Sequence, residues 1–155
     1  MKFIPTSPSS DVAQVLLHAL DEELLARYPG LPVHGIAVAD FERLGGYFVV
    51  GQKEGVACGS GAFRPLDSQC AEIKRMYVVP AARRGGVARM ILRHLETEIQ
   101  RRGFRTIVLE TGYRQPEAIA LYEAEAYLPI PRYGEYVHCP NSRCYAKPAS
   151  WAAPL

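Results

Sequence analysis

A short basic loop carries the pattern with the clearest chemical meaning. It reads Arg83-Arg84-Gly85-Gly86-Val87-Ala88 and joins a predicted strand to a predicted helix. The first N–H groups of a helix have no acceptor within it, and the helix dipole places partial positive charge there. Two glycines let an anion approach these N–H groups, and two arginines add charged donors. The loop alone fits an anion cradle and a helix-capping turn with two solvated arginines equally well.

The sequence lacks the motifs of two common nucleotide-binding sites. It contains no G-x-x-x-x-G-K-[ST], which excludes a P-loop, and no G-x-G-x-x-G after an N-terminal strand, which argues against a Rossmann site. The cysteines form no C-x-x-C pair, and no histidine stands at zinc-finger spacing from them. We therefore predict thiols and no metal site for Cys58, Cys70, Cys139 and Cys144.

The composition is that of a folded domain. Of the 155 residues, 48% are apolar and 22% are charged, which provides enough apolar side chain for a core. The net charge of +2 is too small to indicate a nucleic-acid partner. No apolar run approaches the ~20 residues that span a bilayer, and the N-terminus lacks the apolar core of a signal peptide. We expect a single domain over residues 1–155, in the cytoplasm, with no nucleic-acid and no membrane partner.

The elements that position the loop follow from hydrophobic spacing and turn residues. Ser9, Ser10 and Asp11 offer N-caps for a helix that runs to about Tyr28, and alternation in a third strand predicts that Ile73 and Tyr77 share one face. This order of elements predicts an α/β (α+β) fold with a mixed sheet. The predicted elements are a helix with its N-cap within 9–11 and its end near 28, strands at 47–52, 56–63 and 71–79, a helix at 87–102, a strand at 106–110, a helix at 116–126, and tail strands near 133–138 and 142–147.

Longer stretches of the sequence resemble one family. The run Glu72-Ile-Lys-Arg-Met-Tyr-Val-Val-Pro80, followed by Arg83-x-x-Gly86-x-Ala88, is similar to the acetyl-CoA motif of the GCN5-related N-acetyltransferase (GNAT) superfamily. The segment Thr111–Tyr122, with its Ala-Ile-x-Leu-Tyr run, resembles the second half-site of that family, and Cys144–Lys147 resembles its closing strand. The resemblance implies a mostly antiparallel central sheet that is flanked by helices and splayed between its fourth and fifth strands.

The same resemblance implies acetyl-CoA as a co-substrate. Its pyrophosphate would lie on the basic loop, and its pantetheine arm would lie against the third predicted strand. The implied binding residues are Met76, Tyr77 and Val78 on that strand, Arg83, Arg84, Gly85, Gly86, Val87 and Ala88 in the loop, and Gln115, which stands where many relatives carry an asparagine.

Acetyl transfer to an amine needs a base for the ammonium proton and an acid for the departing thiolate. Tyr122 matches a family tyrosine near the CoA sulfur, which implies the acid; the alternative is an aromatic residue packed on the sheet. Glu72 and Glu110 are the two candidate bases, with Glu72 preferred. Glu72 would otherwise pair with Arg64 or Lys74, Glu110 would otherwise cap a turn, and water alone would also serve as the base.

The resemblance implies direct transfer of an acetyl group to a primary amine of a small molecule or peptide, without a metal or a covalent acetyl-enzyme. The alternative is a non-catalytic acyl-CoA-binding regulatory module. Homodimers are common among relatives, and the C-terminal strands could pair between subunits. The acceptor would lie among Leu31–Phe41, Glu110–Arg114 and Ile130–Tyr136, but the sequence does not identify the amine.

Overall fold

A computed structural model describes residues 1–151. No helix in this part of the chain is long and apolar enough to cross a membrane. The helices are α1 (Asp11–Arg27), α2 (Val38–Arg43), α3 (Val87–Arg101) and α4 (Pro116–Ala124), with short 3-10 turns at Pro80–Ala82, Gly134–Tyr136 and Ala149–Trp151. The strands are β1 (Lys2–Pro5), β2 (Tyr47–Lys53), β3 (Val56–Pro65), β4 (Cys70–Val78), β5 (Thr106–Gly112), β6 (Leu128–Ile130) and β7 (Ser142–Pro148).

The strands of the described chain form one sheet in the order β1-β2-β3-β4-β5-β7-β6. Each neighbouring pair is antiparallel except β4 and β5, which run parallel. One face packs against α3 through an apolar stripe that includes Ile91, Leu95 and Ile99. The other face packs against α1 through Leu16 and Leu20. The structure confirms the predicted α/β (α+β) class, with a mixed, mostly antiparallel sheet between helices.

The ends of the chain differ from the sequence prediction. The short strands β1 and β6 were not predicted; they pair with β2 and β7. The predicted strand at 133–138 is wrong, because this segment is a loop with a 3-10 turn at Gly134–Tyr136, and Gly134 adopts a left-handed φ of +51°. The Tyr133 hydroxyl donates to Glu72 on the central sheet, so the aromatic alternation of this segment reflects individual anchoring contacts and not strand pairing.

A β-bulge in β4 changes the alternation that the sequence predicts. The pairing of β3 with β4 slips by one residue, so that Gly61 faces both Arg75 and Met76. Arg75 adopts a left-handed φ of +60°, and a Cβ on Gly61 would lie 2.8 Å from the Met76 sulfur. Because of the bulge, Ile73 packs on the α3 face and Tyr77 on the α1 face. The prediction that these two residues share one face is therefore wrong.

β4 and β5 pair only over the first part of their length. Ile73 with Leu109 is the last pair, although β4 continues to Val78 and β5 to Gly112. The two strands separate beyond this point, next to the bulge, as the resemblance predicts for the fourth and fifth strands. The separation opens a cleft that is continuous with the face of α1.

Candidate active site

A cleft of about 360 Å³ lies where β4 and β5 separate. Its walls come from α1 and the loop after it, the C-terminal halves of β4 and β5, the start of α4 and the loop before β7. Four of the predicted catalytic and cofactor-binding residues line this cleft: Met76, Glu110, Gln115 and Tyr122. The structure thus brings the predicted acid and one of the two predicted bases into one space.

Glu110 lies on β5, one residue beyond the last pair with β4, and its side chain is partly buried. Burial raises the pKa of this carboxyl above its ordinary value. A hydrogen bond with Ser142 and electrostatic interactions with His34 and Lys74 oppose this shift without reversing it. Among the described residues, Glu110 is the one carboxylate in the cleft lining. A carboxylate with a raised pKa at this place can accept a proton from an ammonium group near neutral pH.

Tyr122 lies on α4 with 6% of its surface exposed, and its ring packs edge-to-face on Tyr127 at a centroid distance of 5.9 Å. Its hydroxyl forms no hydrogen bond with any residue that the structure describes. Burial, and then the charge of Glu110, raise the pKa of Tyr122. The hydroxyl therefore keeps its proton in the physiological pH range and can donate it within the cleft.

The loop before α3 presents a run of free backbone N–H groups. The first helical hydrogen bond of α3 joins Met90 N to Gly86 O at 3.0 Å, and the N–H groups from Arg84 to Arg89 have no acceptor among the described residues. Arg84 and Gly86 adopt left-handed φ values of +66° and +77°. Gly86 has open space where a Cβ would be. Successive free N–H groups in such a turn form an anion-binding concavity, and the helix dipole adds to it.

The side chain of Arg83 is engaged elsewhere. Its Nε donates to the Val78 carbonyl oxygen at 2.9 Å, and its terminal nitrogens lie 2.9 and 3.0 Å from the two carboxylate oxygens of Glu23 on α1. The guanidinium also lies 5.7 Å from the centre of the Tyr77 ring. Arg83 therefore holds the loop against α1, whereas Arg84 is exposed at the loop surface.

Glu72, the other candidate base, lies outside the cleft lining. Its side chain is fully buried: Arg64 Nε donates to Oε1 at 2.9 Å, and the Tyr133 hydroxyl donates to Oε2 at 2.5 Å. Lys74 Nζ lies 3.7 Å from Oε1. The carboxylate thus joins β3, β4 and the loop before β7. These contacts correspond to the structural alternative for Glu72, in which it pairs with Arg64 and Lys74.

The remaining predicted binding residues lie at the C-terminal end of β4 and at the start of α4. Met76 lines the cleft, while the side chains of Tyr77 and Val78 pack into the apolar layers on opposite faces of the sheet. Gln115 caps α4, and its Oε1 accepts from the Gly112 N–H at 3.2 Å. Any contact of Tyr77 and Val78 with a ligand in the cleft would therefore come from their backbone.

Lys74, which the sequence analysis considered only as a possible partner of Glu72, also lines the cleft. Its buried ammonium donates to Glu135 Oε1 and to the Tyr136 hydroxyl, each at 3.1 Å. Glu135 also lies 3.6 Å from Arg64 and 3.8 Å from His34. These ion pairs fasten the loop before β7 to β4. A charged residue within an apolar strand was a sequence signal for such a cluster, since buried charges require partners, but it did not indicate which residues those partners are.

Each predicted acceptor segment contributes to the lining. The contributing parts are Leu31–His34, Glu110–Gly112 and Tyr136, and the structure adds His138–Ser142, which the sequence analysis missed. Within residues 1–151, no three His, Cys, Asp or Glu side chains are arranged to hold a metal ion. All four cysteines are free thiols.

Comparison with known proteins identifies the family. Residues 14–126 match the model of the acetyltransferase (GNAT) family. The IAA acetyltransferase of Azospirillum brasilense is 32% identical over 144 residues, which are 92% of this chain and 94% of that protein. A Klebsiella pneumoniae protein described as an acyl-CoA N-acyltransferase has a TM-score of 0.80 at 26% identity, with 96% of this chain and 97% of that chain covered.

A GNAT acetyltransferase of Elizabethkingia anophelis, solved with acetyl-CoA bound, shares the fold with a TM-score of 0.69 at 14% identity; 95% of this chain and 97% of that chain are covered. The family model and the curated relative extend over most of the chain. The chain therefore belongs to the GNAT family and is an N-acetyltransferase.

Proposed function

We propose that this protein transfers the acetyl group of acetyl-CoA directly to a primary amine of a small molecule or peptide. The observation that carries the proposal is the shared cleft, which is lined by Glu110 as a candidate base and by Tyr122 as a candidate acid. The free N–H groups from Arg84 to Arg89 follow closely after the end of β4, which forms one wall of that cleft.

Acetyl-CoA supplies the acetyl group as a thioester. The N–H groups from Arg84 to Arg89 would hold its pyrophosphate, and Gly85 and Gly86 leave the approach open, since a Cβ at either position would have no close neighbour. The β4 backbone at Met76–Val78 has no partner on the β5 side and offers its edge to the pantetheine amides. Gln115, on the opposite wall, would meet the same arm.

Glu110 is the base that the geometry supports best. It lies in the cleft, and burial raises its pKa toward the range in which an amine is deprotonated. Glu72 has both oxygens engaged with Arg64 and Tyr133 and is fully buried. For an incoming ammonium, Glu110 would accept one proton, directly or through a water molecule, and leave the nitrogen lone pair free to attack the thioester carbonyl.

Tyr122 is the acid that the geometry supports. Its hydroxyl lines the cleft, retains its proton and has no competing acceptor among the described residues. When the carbon–sulfur bond breaks, the sulfur carries the electron pair, and Tyr122 would give it a proton. The attacking nitrogen loses its second proton to solvent as the amide forms, and the proton held by Glu110 passes through solvent to the Tyr122 phenolate, which restores both residues.

The cleft volume of about 360 Å³ is within the range of small-molecule sites, which is about 300–1,000 Å³. The wall formed by α1 and the residue that follows it is apolar and aromatic, with Leu20 and Leu24 in α1 and Tyr28 directly after its end. Such a wall would hold the body of an acceptor whose amine points to Glu110. These features support a small molecule or a peptide side chain as the acceptor.

The proposal is tested by calorimetric titration with acetyl-CoA, followed by a thiol-release assay against amino acids, polyamines, aminoglycosides and short peptides. We expect binding, turnover of one class of amine, and loss of that turnover in Glu110→Gln. Glu54→Gln, in the exposed β2–β3 turn, is the matched control and should behave as wild type. Binding without turnover of any amine would favour the regulatory acyl-CoA-binding module, and absence of binding would refute the assignment of the loop.

A further inference from the structure

A thiol and an imidazole in the cleft wall lie in contact with each other, and a carboxylate outside the cleft lining lies next to the imidazole; the proposed acetyl transfer uses none of the three. Cys139 Sγ lies 3.6 Å from His34 Nε2, and His34 Nδ1 lies 3.8 Å from Glu135 Oε2. The imidazole packs edge-to-face on Tyr136 at 5.0 Å. A nucleophile, a base within reach of it and a group that orients the base form the arrangement that activates a thiol.

The orienting carboxylate is itself held in place. Lys74 Nζ lies 3.1 Å and Arg64 3.6 Å from Glu135 Oε1, which leaves Oε2 toward His34. The thiol has one further contact, with the Glu135 carbonyl oxygen at 3.5 Å. Cys139 and His34 are both partly exposed and both line the cleft, so a solute that enters the cleft can reach them.

We propose that Cys139 is a modification site that reacts with low-molecular-weight disulfides, with His34 as the base that removes its proton. The proton of Cys139 passes to His34 Nε2, and the thiolate attacks one sulfur of the incoming disulfide. A new sulfur–sulfur bond forms at Cys139, the bond within the reagent breaks, and its second half leaves as a thiolate that takes up the proton. The oxidation of the Cys139 sulfur is matched by the reduction of the departing sulfur, so the disulfide is the only co-reactant.

The other cysteines provide an internal comparison within the same chain. Cys58 and Cys144 are buried, and burial raises the pKa of the Cys144 thiol. Cys70 is partly exposed, as Cys139 is, but burial and the nearby charges of Asp67 and Glu72 raise its pKa to about 11. Cys139 alone among the four lies within hydrogen-bond distance of an imidazole in the described structure. Reactivity should therefore be confined to Cys139.

Modification at this position has a consequence for the cleft. A mixed disulfide with a tripeptide-sized thiol adds a group of a size comparable with the cleft volume of about 360 Å³. It would occupy the wall formed by the loop before β7 and exclude the acceptor. This consequence for turnover rests on the proposed function, whereas the modification itself does not.

The experiment treats the reduced full-length protein with glutathione disulfide at neutral pH and follows the adduct by intact mass and peptide mapping. We expect one adduct, on Cys139, which is absent in Cys139→Ser. His34→Gln should lower the rate constant of modification by about tenfold, because only a few per cent of an unassisted thiol is ionised near pH 7. His138→Gln is the matched control, since His138 also lines the cleft but makes no hydrogen bond to the thiol among the described residues, and its rate should equal that of wild type.

Three results would overturn the proposal: labelling of Cys70 at the same rate as Cys139, no labelling at all, or an unchanged rate in His34→Gln. Labelling of the buried Cys58 and Cys144 reports unfolding, so a variant that fails to fold is recognised within the same spectrum and is replaced by His34→Asn. The adduct is measured by mass and does not depend on turnover. A failure to form the adduct is therefore distinguishable from a failure of the proposed acetyl transfer.

Discussion

Replacing Tyr122 by phenylalanine separates catalysis from stability in this protein. The Tyr122 hydroxyl has no hydrogen-bond partner among the described residues, and the ring would keep its edge-to-face packing on Tyr127 at 5.9 Å. Removal of the oxygen therefore leaves no buried group unsatisfied. We expect the free energy of unfolding to change by less than about 0.5 kcal/mol.

The expected loss is in turnover. A positioned general acid contributes at least about 10²-fold to the rate, so kcat for Tyr122→Phe should fall by about 10²-fold. This corresponds to about 2.7 kcal/mol of activation free energy, at about 1.36 kcal/mol for each factor of ten. The dissociation constant of acetyl-CoA should change little, because the loop N–H groups and the β4 edge, which would hold most of the ligand, are untouched.

Tyr127→Phe is the matched control and should give the opposite result. Tyr127 is also buried, but its hydroxyl donates to Glu96 Oε1 at 2.9 Å, and it does not line the cleft. Glu96 is fully buried; Lys147 Nζ donates to the same oxygen at 3.0 Å, and Oε2 has no hydrogen-bond partner within residues 1–151. Loss of the tyrosine hydroxyl leaves this carboxylate less satisfied, so unfolding should become easier by about 1–3 kcal/mol, with kcat unchanged.

The two variants are compared by thiol release under saturating substrates, by calorimetric titration with acetyl-CoA and by denaturant unfolding. If Tyr122→Phe retained wild-type kcat, Tyr122 would be a packing residue and the acid would lie elsewhere. If both variants lost stability and activity together, the separation between the cleft and the buried Glu96 pair would be refuted.

Three further results are expected. The kcat/KM of wild type should rise with pH through a midpoint above the ordinary carboxyl pKa, because burial raises the pKa of Glu110, and Glu110→Gln should lose this rise. An ionised group whose pKa is raised in the folded state opposes folding at pH values above that pKa. Glu110→Gln should therefore be no less stable than wild type in denaturant at neutral pH. Gly86→Asp should weaken acetyl-CoA binding at least about tenfold in a titration, because it places a negative charge at the free N–H groups. Gly103 has a similar φ of +87° and lies beyond the other end of α3, so Gly103→Asp should leave the affinity unchanged. Glu72→Gln should lower the free energy of unfolding by about 2–3 kcal/mol, which is less than for a fully buried ion pair because the Arg64 side chain is 35% exposed. The folded variant should keep its turnover. Loss of turnover with unchanged stability would instead favour Glu72 as the base.

Local sequence determined the parts of this protein that depend on backbone geometry. The glycine at position 86 with its left-handed φ, the apolar stripe of α3 and the β-branched run of β5 are set by residues close together in the chain. The run of free N–H groups before α3 follows from this local geometry, because N–H groups at a helix start have no acceptor within the helix. The segment 133–138 was misread because alternation of side chains is common to a strand and to a loop whose residues have separate anchors.

Only the tertiary structure distinguishes the surroundings of Glu72 from those of Glu110. Both are glutamates on strands of the central sheet, and nothing local distinguishes them. The Glu72 carboxylate accepts a hydrogen bond from Tyr133, which lies 61 positions away in sequence, whereas the separation of β4 and β5 leaves Glu110 in the lining of a cleft. The sequence also did not predict three other features. These are the bulge at Arg75, the ion pair between Lys74 and Glu135, and the contact of Cys139 with His34, which lies 105 positions away in sequence. A side chain's spacing predicts the face on which it lies, but its protonation and reactivity depend on which distant charges the fold brings to it.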